Sequence, residues 1–363
     1  MIIIPHDRLR ELVAEVFVKA GSSRAEADRI GHYLVAANLA GHDSHGVIRV
    51  PGYLRWLEAG NTVRDQSIKV VSDTPVIAVV DGQFGYGQTV APQAVRIGIE
   101  KCKTMGLAAV ALRNSAHIGR VGDFAEMAAA EGLVSMHFVT AAGSVLVAPF
   151  GGTERRFSTA PFCVGIPRPG HSPVILDFAT SLVAEGKALV ASRGGKKLPN
   201  DALIGPDGEV SGDPTLLYGE HEPTGPREAG RGKGALRAFG EHKGSGLAFI
   251  CELLGGALTG NGATSQPRRF SNGMFSIFVD PERVDAADFF QGEIARYMAY
   301  VKDTKPSKPG GEVLLPGEPE ERARRERMEK GVPLPDDVWR SIVEAARAIG
   351  VPQALIEAAN GKR

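Results

Sequence analysis

The sequence predicts an α/β (α+β) protein, in which an α/β domain over residues 75–312 joins a helical domain built from both chain ends, residues 1–74 with 313–363. Three observations predict it. Short apolar runs bounded by turn residues alternate with helix-period segments through the middle of the chain, as strands do when they alternate with helices. Both ends carry apolar residues at helical spacing instead. The chain has 363 residues, of which 43% are hydrophobic and 23% charged, enough for more than one ordinary core.

The elements follow in order. Leu9, Leu12, Val13, Val16 and Phe17 share one helical face that Gly21 ends. Ser23 and Glu26 have the spacing of a capping box for a second helix, which carries HYLVAANLA and stops at Gly41. The segment HDSHGV then forms a loop, and a third helix runs from about Val50 to Glu58 and ends at Gly60. PVIAVVDG, GLAAVALRNS, LVSMHFVT, PVILDF and MFSIFVD read as strands. APQAVRIGIEKCKTMG, DFAEMAAAEG and GSGLAFICELLGGALTG read as helices. Residues 199–234, rich in Gly, Pro and charge, read as a long surface excursion. In the tail, Val338, Trp339, Ile342, Val343 and Ala346 keep helical spacing and are expected to pack on the N-terminal helices.

Composition excludes several classes. Lys plus Arg and Asp plus Glu each total 42, so net charge gives no reason to expect nucleic acid or an anionic membrane as partner. Cys102, Cys163 and Cys251 are far apart with no CxxC pair, which argues against a disulfide framework and a cysteine zinc site and fits a reducing cytoplasm. The N-terminal segment lacks the apolar h-region of a signal peptide, and no run approaches the roughly 20 apolar residues that span a bilayer.

The motifs for nucleotide binding are negative at first sight. Gly230-x-Gly232-x-x-Ala235 is the nearest approach to a dinucleotide fingerprint, but no strand precedes it, and there is no Walker A segment. His45, in Asp43-Ser44-His45-Gly46, has the chemistry of a proton donor or acceptor near neutrality. Ser44 stands beside it, and Arg49 can grip a carboxylate through two hydrogen bonds. The bland alternative is a helix-ending turn with Asp43 as the next N-cap. His42 and His45, without further ligands, are a weak metal signal; no metal is expected. His117, in Asn114-Ser115-Ala116-His117-Ile118-Gly119-Arg120, follows a strand end, where α/β proteins place ligands. Gly119 is expected to open a helix whose amides, with Arg120, can hold an anion; the alternative is a capped turn. Asp177 could orient a histidine or a ribose, or cap a helix. Lys243, in Glu241-His242-Lys243-Gly244, could neutralise a phosphate or be a solvated helix start. Leu315 to Pro319 form a turn, and EERARRERMEK an exposed helix face.

Together LVAANLAGHDSHGV, AAVALRNSAHIGRVG, LVAPFGG, LDFATS, FGEHKGSGLAFICELLGGALTG, LLPGEPE and RRERMEKGVPLP resemble the malate/L-lactate dehydrogenase family of non-Rossmann NAD(P) oxidoreductases. The matches run in order across nearly the whole chain. The resemblance implies a non-Rossmann NAD(P)-binding α/β domain beside a helical one, a homodimer, NAD or NADP as cofactor, and interconversion of a small 2-oxo acid with its 2-hydroxy acid. It implies His45 and His117 as acid/base candidates, with Ser44 and Arg49 at the substrate. It implies His45, Gly119, Arg120, Val121, Ile175, Leu176, Asp177, Phe178, Ala179, His242, Lys243, Asn272, Gly317, Glu318, Pro319 and Glu320 as dinucleotide contacts. Relatives often read GTNP where this chain has Ser158-Thr159-Ala160-Pro161, a departure that removes an amide near the expected nicotinamide site. The competing readings are a cyclic imino-acid reductase, a non-catalytic dinucleotide-binding homologue and, disfavoured for want of a ligand set, a zinc hydrolase.

Overall fold

The apolar stripe at the N-terminus cannot be buried by one helix and finds its partners at both ends of the chain. In the computed structural model, which describes residues 1–193, 197–221, 227–285 and 289–361, strand β1 (Ile2–Ile4) leads into helices α1 (His6–Lys19), α2 (Arg24–Leu39) and α3 (Val50–Glu58). Two 3-10 turns, Asp43–His45 and Val47–Arg49, join α2 to α3. The middle of the chain supplies β2 (Lys69–Asp73), β3 (Ile77–Asp81), α4 (Gly87–Met105), β4 (Leu107–Ser115), α5 (Gly122–Ala130), β5 (Val134–Ala142), β6 (Val147–Ala148), β7 (Pro161–Ile166) and β8 (Val174–Ala179). Then come α6 (Glu185–Ser192), β9 (Leu203–Ile204), β10 (Val210–Ser211), α7 (Thr215–Tyr218), β11 (Ala235–Arg237), α8 (His242–Cys251) and β12 (Ser271–Val279). The chain ends with α9 (Phe289–Lys302), α10 (Glu318–Lys330), β13 (Val332–Leu334), α11 (Asp336–Ala348) and α12 (Gln353–Ala359).

Leu9, Leu12, Val13 and Phe17 of α1 and Ile30 and Leu34 of α2 pack with Trp339, Ile342 and Ala346 of α11 and Ile356 of α12 in one core. β1 pairs antiparallel with β13 and so ties the two chain ends together. Trimming a fully buried leucine here to alanine costs about 2–5 kcal/mol. A second core lies beneath a seven-stranded sheet of order β2-β3-β4-β12-β5-β7-β8. Only β3 and β4 pair in parallel; the other neighbours run antiparallel. The mixed sheet, rather than a parallel one with a glycine-rich first turn, is why no Rossmann fingerprint appears. His137 of β5 is fully buried, held between Ser135 and Ser276 hydroxyls at 3.1 and 2.8 Å.

Three local expectations are corrected. The excursion over 199–234 is not merely a surface loop. Leu203 of β9 and Leu217 and Tyr218 of α7 are buried with Leu146, Val147 and Leu236 in a core of their own, under a small sheet of order β10-β9-β11-β6. Its Gly and Pro content reflects the tight turns such short strands need; residues 222–226 lie outside the described part. The capping box is only half formed. Ser23 Oγ accepts from Glu26 N at 3.3 Å, but Glu26 reaches away to Asp65 N and Thr89 Oγ1, and Asp65 takes the Ser23 N–H instead. Asp43 does not cap: its carboxylate accepts from Asn38 Nδ2 and pairs with Arg327.

Candidate active site

Two segments distant in sequence meet at the seam between the first two cores. One is the pair of 3-10 turns after α2, carrying Ser44, His45 and Arg49; the other is the chain leaving β4, carrying His117. Close backbone approach makes the meeting. Gly87, at the start of α4, leaves no room for a Cβ, which would stand 2.5 Å from His117 O. Asn272 of β12 accepts from Ile118 N at 3.0 Å and donates to Thr140 O at 2.7 Å, fixing the residue after His117 to the sheet. The imidazoles of His45 and His117 consequently lie nearly parallel, 9° apart in plane and 5.6 Å between centroids. A stack of Trp56 on Phe270, 5.0 Å apart, borders His117.

Each ring nitrogen that the protein contacts has a defined partner. Ser44 Oγ is 3.0 Å from His45 Nδ1. Buried Tyr53 lies 2.7 Å from His117 Nδ1 and accepts from Gln88 Nε2 at 3.0 Å. The same hydroxyl also lies 3.5 Å from the His117 carbonyl, so Tyr53 holds both the ring and the backbone of His117. Burial, then the Arg49 cation and His42, hold His45 down to about 3. Burial, Arg49 and His45 hold His117 well below its ordinary value. Both rings are therefore neutral at pH 7, and a group that cancels the charge of Arg49 relieves part of that restraint. Arg49 donates through Nε to Ser44 O at 2.6 Å and through Nη2 to Glu185 at 3.4 Å.

A second cluster gathers around Arg120. Its guanidinium is completely buried and bonds Asp123 at 2.7 Å and Glu126 at 2.9 Å, while Nε and Nη2 have no partner. Burial opposes its charge, but Asp123, Glu126 and Asp177 overcome that and hold it firmly cationic. Arg120 lines a cavity of about 520 Å³ together with Ile175, Gly317 and Glu320. Glu320 bonds His42 Nε2 at 3.1 Å, and the His42 ring stands 6.4 Å from that of His45. A concave site with orphaned cationic donors, connected to the histidines in this way, fits an anionic dinucleotide.

The remaining expected contacts divide. Gly119 does not open a helix: α5 begins at Gly122 with Val121 before it, and Asp177 takes the Gly122 N–H at 2.7 Å. Asp177 thus serves a helix start in space, not in sequence. On β8, Ile175 is buried, Leu176 is exposed, Ala179 pairs with Pro161, and Phe178 packs against Phe162 and Phe239. At α10, Gly317 precedes the first turn, where Glu318 pairs with Lys302 and Pro319 sits in the first turn ahead of Glu320. His242 and Lys243 are exposed, His242 edge-on to Phe150. Among the described residues neither contacts the histidine pair or the Arg120 cluster. In the Ser158–Pro161 segment, Ala160 is fully buried at a φ of +27°, a region asparagine tolerates better than alanine. Buried Glu252 holds this segment by accepting from Ser158 N and Oγ. Tyr53, Gln88, Glu185 and Glu252 are additions to the sequence reading. Of these only Tyr53, one helical turn after Arg49, had a spacing that could have flagged it.

The fold and this seam belong to a known class. Residues 4–343 match the family model for malate/L-lactate dehydrogenase, and the chain belongs to that family. It is an NAD(P)-dependent oxidoreductase of 2-hydroxy and 2-oxo acids. Within the family it is 40% identical to hydroxycarboxylate dehydrogenase B of Escherichia coli (strain K12) over 96% of this chain and 95% of that one. It is 31% identical to a Δ1-pyrroline-2-carboxylate/Δ1-piperideine-2-carboxylate reductase of Pseudomonas putida, over 94% and 96%. The solved structure of sulfolactate dehydrogenase from Methanocaldococcus jannaschii superposes with a TM-score of 0.83 at 29% identity, covering 99% of each chain. Among the described residues no helix is long and apolar enough to cross a membrane.

Proposed function

We propose that this protein reduces a small 2-oxo acid to its 2-hydroxy acid, or the reverse, with His45 and His117 as the acid/base pair and Arg49 as the carboxylate anchor. The observation that carries the reading is the parallel histidine pair beside a guanidinium, in a seam closed by Trp56, Tyr53 and Phe270. The nicotinamide of NAD or NADP, when bound, supplies or accepts the hydride. Arg120 with its spare donors, Gly119, Val121, the strand Ile175 to Ala179, and Gly317 to Glu320 would hold the dinucleotide. Asn272 acts by fixing the His117 loop.

The acid/base step follows from the charges. In oxidation a neutral imidazole takes the hydroxyl proton, the form both rings hold in the free protein. In reduction one ring must supply that proton to the carbonyl oxygen. A substrate carboxylate on Arg49 cancels the cation that depresses both histidines and so favours protonation at the moment it is needed. His45 is the first choice as donor because Ser44 and Arg49 flank it.

The same parts suit a cyclic imine carboxylate, and the identity to the Pseudomonas putida reductase supports that second reading. A panel of 2-oxo acids beside pyrroline-2-carboxylate, each with NADH and NADPH, separates the two. Turnover of the imine alone would replace the first reading, and no turnover with any would favour a non-catalytic dinucleotide binder. We further take residues 1–74 with 313–363 as the helical domain and 75–312 as the α/β domain. The protein is expected to be a cytoplasmic homodimer without nucleic-acid or membrane partners. Exposed Phe249, Ile250 and Leu258 after β11 and Phe289, Tyr297 and Tyr300 on α9 offer apolar surface for the second copy.

A further inference from the structure

We propose that Glu185 sets the charge preference of this site, favouring substrates with one anionic group over those with two. The inference rests on the reading of Arg49 as the carboxylate anchor. Glu185 is the first residue of α6, and its two oxygens are used separately: Oε2 lies 3.4 Å from Arg49 Nη2, and Oε1 accepts from the buried Tyr218 hydroxyl at 2.7 Å. Helix α6 has little freedom to withdraw. A Cβ on Gly186 would stand 2.3 Å from the Ser44 Cβ, so the first turn of the helix lies against the segment that carries His45. Tyr218 belongs to the small third core and anchors the carboxylate from behind.

The consequence is electrostatic. Arg49 and Glu185 form a neutral pair at the site, each about one-fifth exposed. A monoanionic substrate that uses the remaining Arg49 N–H groups brings the site to one net negative charge. Among the described residues, a second anionic group on the substrate meets no uncompensated cation beside Arg49. His45 and His117 are neutral, and the charge of Arg120 is already balanced by Asp123 and Glu126 through Nη1. Glu185 therefore opposes the second charge. At about 6 Å and an effective dielectric near 20, one like charge is expected to shift affinity by about 10–100-fold.

The test compares oxamate, with one charge, and oxalate, with two, by calorimetry on protein saturated with NADH. Kinetics with 2-oxo acids bearing neutral or carboxylate side chains run beside it. Wild type is expected to prefer oxamate. Glu185→Gln, which keeps an oxygen for Arg49, should bind both more tightly, oxalate most, so that the preference falls about tenfold or more. Glu185→Asp should keep it. If Glu185→Gln melts far below wild type, Glu185→Met is read in its place. A wild type that binds oxalate as well as oxamate, a preference unchanged in the folded variant, or no binding of either anion overturns the proposal. Absence of turnover with every 2-oxo acid instead overturns the functional reading, and the binding ratio still judges Glu185.

Discussion

The half-buried histidine pair and the fully buried Arg120 cluster are both basic, yet desolvation has opposite outcomes in them. Around His45 and His117 the charge that acts most strongly is another cation, Arg49, so desolvation goes unopposed and the rings stay neutral. Around Arg120 stand three carboxylates, Asp123, Glu126 and Asp177, which outweigh desolvation and keep the guanidinium charged. A buried base thus becomes a proton-transfer group or a fixed cation according to the sign of its neighbours. In this chain the two kinds lie at one site, joined through Glu320, His42 and His45. One is suited to exchanging a proton, the other to holding an anion without exchanging anything.

The largest effect should come from removing a proton carrier. His45→Asn or His117→Asn, whichever is the donor, is expected to lower turnover by about 10²–10⁴-fold while NADH still raises the melting temperature. Near-normal turnover in both variants would end the proposed division between the two regions. Next comes Arg120→Met, which leaves Asp123, Glu126 and Asp177 without their cation. Breaking a buried pair on one side typically costs about 3–5 kcal/mol. The chain should therefore melt early, and the thermal shift given by NADH should shrink. A variant as stable as wild type, with the full shift, would mean that the cluster holds neither the fold nor the ligand.

Much of this contrast was legible in the sequence, but not its geometry. The helices at both ends and the strands β3, β4, β5, β8 and β12 followed from periodicity, because one buried face imposes a fixed spacing. His45 and His117 could be singled out by their glycine-flanked loops. Their stacking could not, since it depends on Gly87 and Asn272 drawing β12 and α4 against the chain after β4. The spacing puts Gly119 at a helix start, and the reason the helix begins later is local. Gly119 takes a positive φ and delays α5 by three residues, which turns Arg120 inward toward Asp123 and Glu126. Glu185 sits on an unremarkable amphipathic turn, and only the third core, hidden in a segment rich in Gly and Pro, brings it to Arg49.

The smallest effect, and the one that sharpens the contrast most directly, is acid sensitivity. His45 and the distant His137 are both held down to about 3, against an ordinary value of 6.5, and His117 is lowered as well, in each case chiefly by burial. A group with a lower pKa in the folded state binds more protons when unfolded, so its contribution weakens the fold as pH drops below about 6.5 and levels off only near the folded value. Asp123, pushed up by burial to about 6 against the pull of Arg120, works in the opposite sense. It offsets at most one of the three histidines. Each histidine kept neutral steepens the decline by about 1.4 kcal/mol per pH unit within that window. Among the described residues His137 bonds the Ser135 and Ser276 hydroxyls and packs edge-on to Phe278, so His137→Gln should flatten the decline by about one proton's worth. Denaturant midpoints between pH 7 and 4.5 measure it. Saturating oxamate should flatten the wild-type curve too, because an anion on Arg49 lets His45 or His117 take up a proton in the folded state. It should do so equally in His137→Gln, since the two sources are independent. Parallel curves for wild type and His137→Gln would show that burial alone does not keep a histidine neutral here, and the distinction between the two regions would have to rest on Arg49.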